Sequence, residues 1–333
     1  MRIGVIGDGG WGTALSMLLI WKNYDVLLWG AFPDYIEAMR KEGENFKYLP
    51  GVCLPEKLLL SSDFKDLSGG FDILVSAVPT QFVRAVFERF KPYYKNRVPI
   101  VSVSKGLEEK SHKRCTEIIR DVLGEVPLAV LSGPSHAEEV ARKIPTAVSV
   151  ASQDAKLAEF VQEVFATDEF RPYTNPDPIG VELGGALKNV IALAAGMCDG
   201  LGFGDNTKSA LLARGLAEMI RIGTKLGAQK VTFFGLSGVG DLTTTSFSKH
   251  GRNREVGERI GRGERLDQIL ASMEKVAEGV WTSRSVVELS KKLSVDTPIS
   301  RKVYQILFEN ESPRDAVLSL MHRPLKSEYS DFL

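Results

Sequence analysis

Cysteine is scarce in this chain: Cys53, Cys115 and Cys198 are the only three, and no two form a Cys-x-x-Cys pair. An odd number at such spacing argues against a disulfide framework and against a thiolate zinc site, leaving reduced thiols. The four histidines, His112, His136, His250 and His322, show no His-Glu-x-x-His or other paired spacing, so no metal is expected. Net charge is missing as well. Forty-two basic and 42 acidic side chains cancel, so no global field draws the protein to nucleic acid or an anionic membrane, and any anion must be held locally. The longest apolar stretch is interrupted by Lys188, and a first strand starting almost at Met1 leaves no room for a leader with a charged segment and cleavage site. Stable membrane insertion is not expected, and the cytoplasm is the expected location.

What is present begins with length. At 333 residues the chain exceeds one ordinary core and suggests two domains. Short apolar runs at 2–6, 25–29, 72–78, 99–103, 127–131 and 146–151 alternate with helical patterns over 11–22 and from about Thr80, Ser111, Ser135 and Asp154. That alternation predicts a doubly wound, mainly parallel α/β sheet covered by helices. Two prolines in Tyr173-Thr-Asn-Pro-Asp-Pro178 break the pattern, and beyond them strand-like alternation nearly vanishes. The second half reads as helices at 179–198, 206–226, 254–260, 266–274, 283–293, 299–308 and 313–321. The expected domains are therefore 1–178, a doubly wound α/β unit, and 179–333, an all-helical domain.

The first domain opens on Gly7-Asp-Gly9-Gly10-Trp11-Gly12, a Gly-x-Gly-x-x-Gly run between strand and helix. In that context the first glycine allows a tight turn, the second lets a pyrophosphate approach the backbone, and the third packs helix on strand, while the helix start offers amides to the phosphates. The acidic residue that would hold a ribose 2′-hydroxyl should end the second strand, yet the chain there reads Gly30-Ala31-Phe32. Neither Asp nor Arg is present, so the choice between NAD and NADP stays open; Asp34 comes late and is expected to cap a helix. Ser104-Lys105-Gly106 follows a strand and projects from the carboxyl edge, where ligands of this class bind. Lys105 is there either a phosphate or carbonyl contact or a solvated loop lysine. Ser135 and Glu138 are spaced as a capping box, in a stretch with Gly133 that also fits the lining of a substrate cleft.

Lys188 and Asn189 sit in residues 180–198, otherwise so apolar that they read as a buried helix. A buried ammonium needs a partner or a task; the segment alone is equally compatible with a lysine snorkelling to the surface. The glycine-rich Leu236-Ser-Gly-Val-Gly240-Asp241 is expected to bring Asp241 close to a second helix, where a carboxylate beside Lys188 would orient it; a surface carboxylate is the competing reading. Arg252 and Asn253, just before a helix, offer an anion a planar donor and helix amides, whereas Arg259 and Arg262 alternate with acidic residues as an ordinary charged face. His250 stands in the same loop, and nothing in its surroundings assigns it a role.

Taken together these segments resemble the NAD(P)-dependent glycerol-3-phosphate dehydrogenases of bacterial type. The resemblance covers nearly the whole chain through Gly7-x-Gly9-x-Trp11-Gly12-Thr13-Ala14, Tyr48-Leu-Pro-Gly51, Ser104-Lys-Gly-Leu107, Ser132-Gly-Pro-Ser135, Leu183-Gly-Gly-Ala-Leu-Lys188-Asn189, Gly238-Val-Gly-Asp241-Leu, Arg252-Asn-Arg254 and Val276-Ala-Glu278-Gly279. It implies a Rossmann-type dinucleotide-binding domain over 1–178 and an all-helical substrate and catalytic domain over 179–333, in a cytoplasmic homodimer that exchanges hydride between sn-glycerol 3-phosphate and dihydroxyacetone phosphate, with NAD(P), for glycerophospholipid synthesis. It makes Lys188 the proton donor and acceptor, with Asn189 and Asp241 beside it. Around the substrate it puts Lys105, Gly133, Ser135, Asp241, Gly251, Arg252 and Asn253. Around the cofactor it puts Gly10, Trp11, Ala31, Lys105, Ala137, Arg252, Val276 and Glu278, in addition to Gly7, Gly9 and Gly12 of the loop. Two departures matter. Ala31 and Phe32 stand where the family commonly has a basic residue or histidine, and Gly251 replaces a serine, leaving only a backbone amide. The alternatives are a β-hydroxyacid or 6-phosphogluconate type dehydrogenase, which would carry an asparagine one turn after the lysine where this chain has Ile191 or Ala192, and a dinucleotide-sensing protein without turnover.

Overall fold

The computed structural model describes residues 1–95, 97–274 and 276–328; the last five residues of the expected second domain lie outside them. The chain packs as two units: Met1–Lys105 with Lys113–Pro178, and Gly106–His112 with the residues from Ile179 on.

The first unit is built on eight strands, β1 (Arg2–Ile6), β2 (Asp25–Trp29), β3 (Leu59–Ser61), β4 (Ile73–Ser76), β5 (Ile100–Ser102), β6 (Leu128–Ser132), β7 (Thr146–Ser152) and β8 (Phe170–Asn175), in the order β3-β2-β1-β4-β5-β6-β7-β8. Its helices are α1 (Gly10–Trp21), α2 (Pro33–Glu42), α3 (Val83–Phe90), α4 (Cys115–Leu123), α5 (Ala137–Val140) and α6 (Ala155–Phe165). All pairings are parallel except β6 with β7, where Val130 faces Ala151 in antiparallel register. Ile3 pairs with Val26 on one side and Ile73 on the other, so the strand order reverses at β1, the switch point where such sheets bind ligands. Strand period two explains the two cores. Ile3, Val5, Val26, Leu28, Ile73, Val75 and Val101 point into one hydrophobic cluster, while Ile6, Leu27, Trp29, Leu74 and Ile100 point into the other.

Two strands lack the expected apolar run. β3 has three residues and pairs only with β2. β8 carries Pro172 and buries only alternate residues, as suits an edge strand, where a missing amide faces no neighbour. The helix expected from about Ser111 begins instead at Cys115, because residues 106–112 belong to the second unit. There Ser285 Oγ donates to the Glu108 carbonyl at 3.3 Å, Arg284 pairs with Glu109 at 2.8 Å, and His112 Nε2 lies 3.0 Å from Glu288.

The second unit is helical: α7 (Pro178–Gly200), α8 (Asp205–Lys225), α9 (Asp241–Phe247), α10 (Arg252–Gly261), α11 (Leu266–Ser272), α12 (Glu278–Leu293), α13 (Pro298–Phe308) and α14 (Pro313–Met321). By length and composition α7 could cross a membrane despite Lys188, contrary to expectation, but its apolar window is wholly buried inside the protein. It forms the spine of a core with Leu183, Leu187, Val190 and Ile191 against Met219, Phe233, Val256 and Val280. A Cβ on Gly184 of α7 would come within 2.5 Å of the Ser237 carbonyl. The glycine therefore lets the π-turn Leu236–Gly240, which delivers Asp241, lie against α7. Helix α12 starts five residues before the expected 283 because Asn253 of α10 accepts from the Gly279 amide at 2.9 Å, a tertiary cap invisible to local pattern.

Candidate active site

In the first unit the glycine run occupies the turn from β1 into α1. Gly7 has φ +116°, a conformation L side chains avoid, and a Cβ there would meet the Ala77 carbonyl at 2.7 Å. Gly10 is pressed by the Tyr48 carbonyl, 2.5 Å from where its Cβ would be. Asn45, between these segments, donates to the Asp8 carbonyl and to Thr13 Oγ1, each at 2.7 Å, and so ties residues 45–48 to the loop. Nothing in the sequence pattern singled out Asn45.

Gly9 differs from its neighbours. Its φ of −64° and ψ of 170° suit any residue, and no atom lies within 4 Å of the position a Cβ would take. Neither backbone nor packing requires glycine there; open space above a helix start does, if a bulky anion must reach the backbone. Helix α1 also has no side-chain hydrogen bond at its N-cap, so its first amides suit a pyrophosphate. Trp11 is half-buried beside Phe170, at 6.5 Å between ring centroids, and the buried Ala137 opens α5 beside Gly10. Half-buried Ala31 and exposed Phe32 follow β2.

At the carboxyl edge of the same sheet, Lys105 Nζ donates to the Gly133 carbonyl at 2.8 Å and to Ser135 Oγ at 3.3 Å. Ser135 Oγ in turn donates to the Gly133 carbonyl at 2.9 Å. Lys105, Gly133 and Ser135 thus form one cluster. The expected capping box does not form: the N-cap of α5 is His136, and the Ser135 hydroxyl is turned towards Gly133 and Lys105 instead. Asp34 is likewise not a cap. Pro33 opens α2 after Phe32, and Asp34 sits in the first turn, where its charge favours the helix start.

The second unit holds the other cluster. Lys188 is buried, 5% exposed, and its ammonium donates to Asp241 Oδ1 at 2.8 Å and to Thr245 Oγ1. Thr245 also donates to Asp241 Oδ1 at 3.2 Å. The snorkelling alternative is therefore excluded, and the glycine turn does bring Asp241 to Lys188. Thr245 escaped the sequence reading; its one signal was its position four residues after Asp241 on the same helix. Next to Lys188, Asn189 Oδ1 accepts from Asn253 Nδ2 at 2.9 Å, so both asparagines are buried in one chain of bonds ending at the Gly279 amide.

Arg252 is exposed and donates to the Val276 carbonyl at 3.3 Å, which brings together two residues expected near the cofactor. Glu278 stands two residues on, at the start of α12. Gly251 is the N-cap of α10, which has no side-chain cap bond, and a Cβ at Gly251 would lie 2.6 Å from the Thr245 carbonyl. The missing serine thus has a steric reason. His250 is exposed, with its amide on Ser248 Oγ at 3.1 Å. Among the described residues no three His, Cys, Asp or Glu side chains gather as a metal site would need.

Chemically, the first unit offers amides and a cradle for a dinucleotide, and the second offers a buried, oriented proton donor with an arginine beside an open helix start. Residues 2–158 match the NAD-dependent glycerol-3-phosphate dehydrogenase N-terminal family and residues 177–318 the corresponding C-terminal family. A glycerol-3-phosphate dehydrogenase [NAD(P)+] of Syntrophotalea carbinolica is 50% identical over 98% of this chain and 99% of its own length. That of Geobacillus thermodenitrificans is 47% identical over 100% and 98%. The crystal structure of glycerol-3-phosphate dehydrogenase from Coxiella burnetii superposes with a TM-score of 0.93 at 37% identity, covering 97% of this chain and 99% of that one. The D-mandelate dehydrogenase fold is shared as well, with a TM-score of 0.63 over 95% of this chain and 100% of that one, at 11% identity. By two family matches that together span nearly its whole length, and by relatives near half identity, this chain belongs to the NAD-dependent glycerol-3-phosphate dehydrogenase family.

Proposed function

We infer that the chain interconverts sn-glycerol 3-phosphate and dihydroxyacetone phosphate, with Lys188 as proton donor and acceptor. The observation that carries the assignment is the ammonium of Lys188, buried in an apolar helix and held by Asp241 and Thr245. A bound NAD(P) supplies or takes the hydride at the carbonyl carbon. In the reductive direction negative charge grows on the carbonyl oxygen, and Lys188 donates a proton to it, a contribution of roughly 10²- to 10⁴-fold. Asp241 orients the ammonium and balances its charge. Asn189, locked by Asn253, and Lys105 add hydrogen bonds to the developing charge. The dinucleotide is held by Gly7, Gly9, Gly10, Trp11 and Gly12, with Ala31, Lys105, Ala137, Arg252, Val276 and Glu278 along its length.

The substrate's phosphate is taken by Arg252 and the start of α10 around Gly251 and Asn253, which has no side-chain cap, with Gly133 and Ser135 also lining the substrate. Binding energy from this remote anion fixes the carbonyl for reaction. The protein acts in the cytoplasm as a homodimer and supplies glycerol 3-phosphate to glycerophospholipid synthesis. The test is direct: purified protein with dihydroxyacetone phosphate and either NADH or NADPH, followed by loss of reduced-cofactor absorbance. Consumption of at least one cofactor, dependent on the triose phosphate, is expected. If neither is consumed while dinucleotide still binds, the chain is a sensor and the assignment fails.

A further inference from the structure

One carboxylate in the glycine loop has no task in the reading above. Asp8 stands between Gly7 and Gly9, just after β1. The residue is half-buried, and its Oδ2 is enclosed with no hydrogen-bond partner in the protein. Such an atom has given up its hydration without compensation, a loss that is larger when the group is charged, and in a native protein it calls for an explanation. Burial pushes the Asp8 carboxyl above the usual carboxylate range, opposed by its own backbone amide and by the nearby Lys47.

Its position supplies the explanation. A Cβ built on Gly30 would fall 2.5 Å from Asp8 Oδ2 and 2.6 Å from its Cγ. The carboxylate therefore lies directly on Gly30, the first residue after β2. That strand end is where sheets of this class ordinarily carry the acidic residue that binds the adenosine ribose. Here the strand end has no acidic side chain, and Gly30 leaves the space that a carboxylate arriving from β1 fills. Any side chain at residue 30 would displace it.

We propose that Asp8 replaces the absent strand-end carboxylate as the acceptor for the adenosine ribose hydroxyls, and that the chain thereby selects NAD(H) over NADP(H). The inference rests on the reading of residues 7–12 as the dinucleotide loop. A ribose 2′-hydroxyl donates to an oxygen that otherwise has no donor, whereas a 2′-phosphate sets like charges together in a partly desolvated place. Rejection of this kind, by an unmet polar group and by repulsion, is stronger than rejection by shape alone. Lys47 acts in the opposite sense; were it dominant, the 2′-phosphate would be preferred.

Binding, not turnover, tests this. Full-length protein is titrated with NADH and with NADPH, following the fluorescence of the reduced nicotinamide. NADH is expected to bind about tenfold or more tightly than NADPH. Asp8→Ala brings the two affinities within about threefold, through weaker NADH and stronger NADPH binding. Asp8→Asn, which keeps an acceptor oxygen without the charge, retains NADH affinity and gains for NADPH. A wild-type preference for NADPH, or a ratio unchanged in Asp8→Ala, overturns the proposal. Gly9→Val separates failure of the loop reading: the open space at Gly9 accepts the side chain within the fold, and binding of both dinucleotides should vanish. If Gly9→Val binds both as wild type does, the loop assignment itself is wrong.

Discussion

Lys188 is a charge in a helix that offers it no solvent, and its partners come from another helix more than fifty residues away. Removing one member of such a buried pair leaves the other uncompensated, at a cost of about 3–5 kcal/mol. Lys188→Ala is therefore expected to lower stability as well as turnover, and the two effects need separating. In Lys188→Met/Asp241→Asn the stranded charge is gone, so much of the stability lost in Lys188→Ala returns on thermal or urea unfolding. Turnover should stay down by roughly 10²- to 10⁴-fold in both variants, with dinucleotide binding retained. Near-normal kcat in the double variant sinks the assignment of Lys188. Arg252 gives the complementary case: exposed, where Lys188 is buried, it should act on substrate binding. Arg252→Ala is expected to raise KM for dihydroxyacetone phosphate by about tenfold to a hundredfold, with a much smaller loss of dinucleotide affinity. Equal losses would mean that its guanidinium serves the cofactor as much as the substrate. The lysine and its carboxylate were legible in the sequence because charge is conspicuous among apolar residues and glycines mark a close approach. Thr245 and Asn45 were not, since a threonine or asparagine is at home in any turn or helix end.

Elements join through buried polar contacts that no local periodicity announces, and Glu218 is the strongest case. This carboxylate on α8 accepts from the Ile299 and Ser300 amides at 2.6 and 3.0 Å and from Ser300 Oγ at 2.9 Å, closing the start of α13. Burial raises its pKa from 4.5 to about 7, against the opposing pull of those hydrogen bonds. Because the folded value lies above the unfolded one, the native state binds the extra proton. The stabilisation is complete below the unfolded pKa and is lost as pH rises through the folded one. At about 1.4 kcal/mol per pH unit the loss is on the order of 3 kcal/mol. Urea unfolding from about pH 4.5 to about pH 7.5 should show this decline in the wild type and a flatter profile in Glu218→Gln. Coincident profiles would show that Glu218 titrates normally. The alternation of strands and helices was readable because parallel strands buried on both faces are unbroken apolar runs. Pro172 hid β8, three residues were too few to reveal β3, and the segment 106–112 joins the second unit through contacts with α12 that its own residues do not specify.

At the scale of the molecule, the split between an alternating half and a helical half was visible as a change of period, and each unit has its own core. The antiparallel turn of β7 was not visible, since burial pattern carries no strand direction. Charge is the whole-molecule property with a kinetic consequence. With 42 positive and 42 negative side chains the protein exerts no net field on a dianionic substrate, so long-range steering, which can raise association 10- to 10³-fold in strongly charged systems, is not available. Attraction to the exposed Arg252 begins only within about a Debye length, roughly 8 Å at physiological ionic strength. Raising the ionic strength from about 10 to about 200 mM should therefore lower kcat/KM for dihydroxyacetone phosphate by less than about threefold. A fall of about tenfold or more would mean that the surroundings of Arg252 focus a field that the balanced composition conceals. In that event the neutralising variant Arg252→Gln should remove most of the salt dependence, tracing the field to that side chain rather than to the protein as a whole.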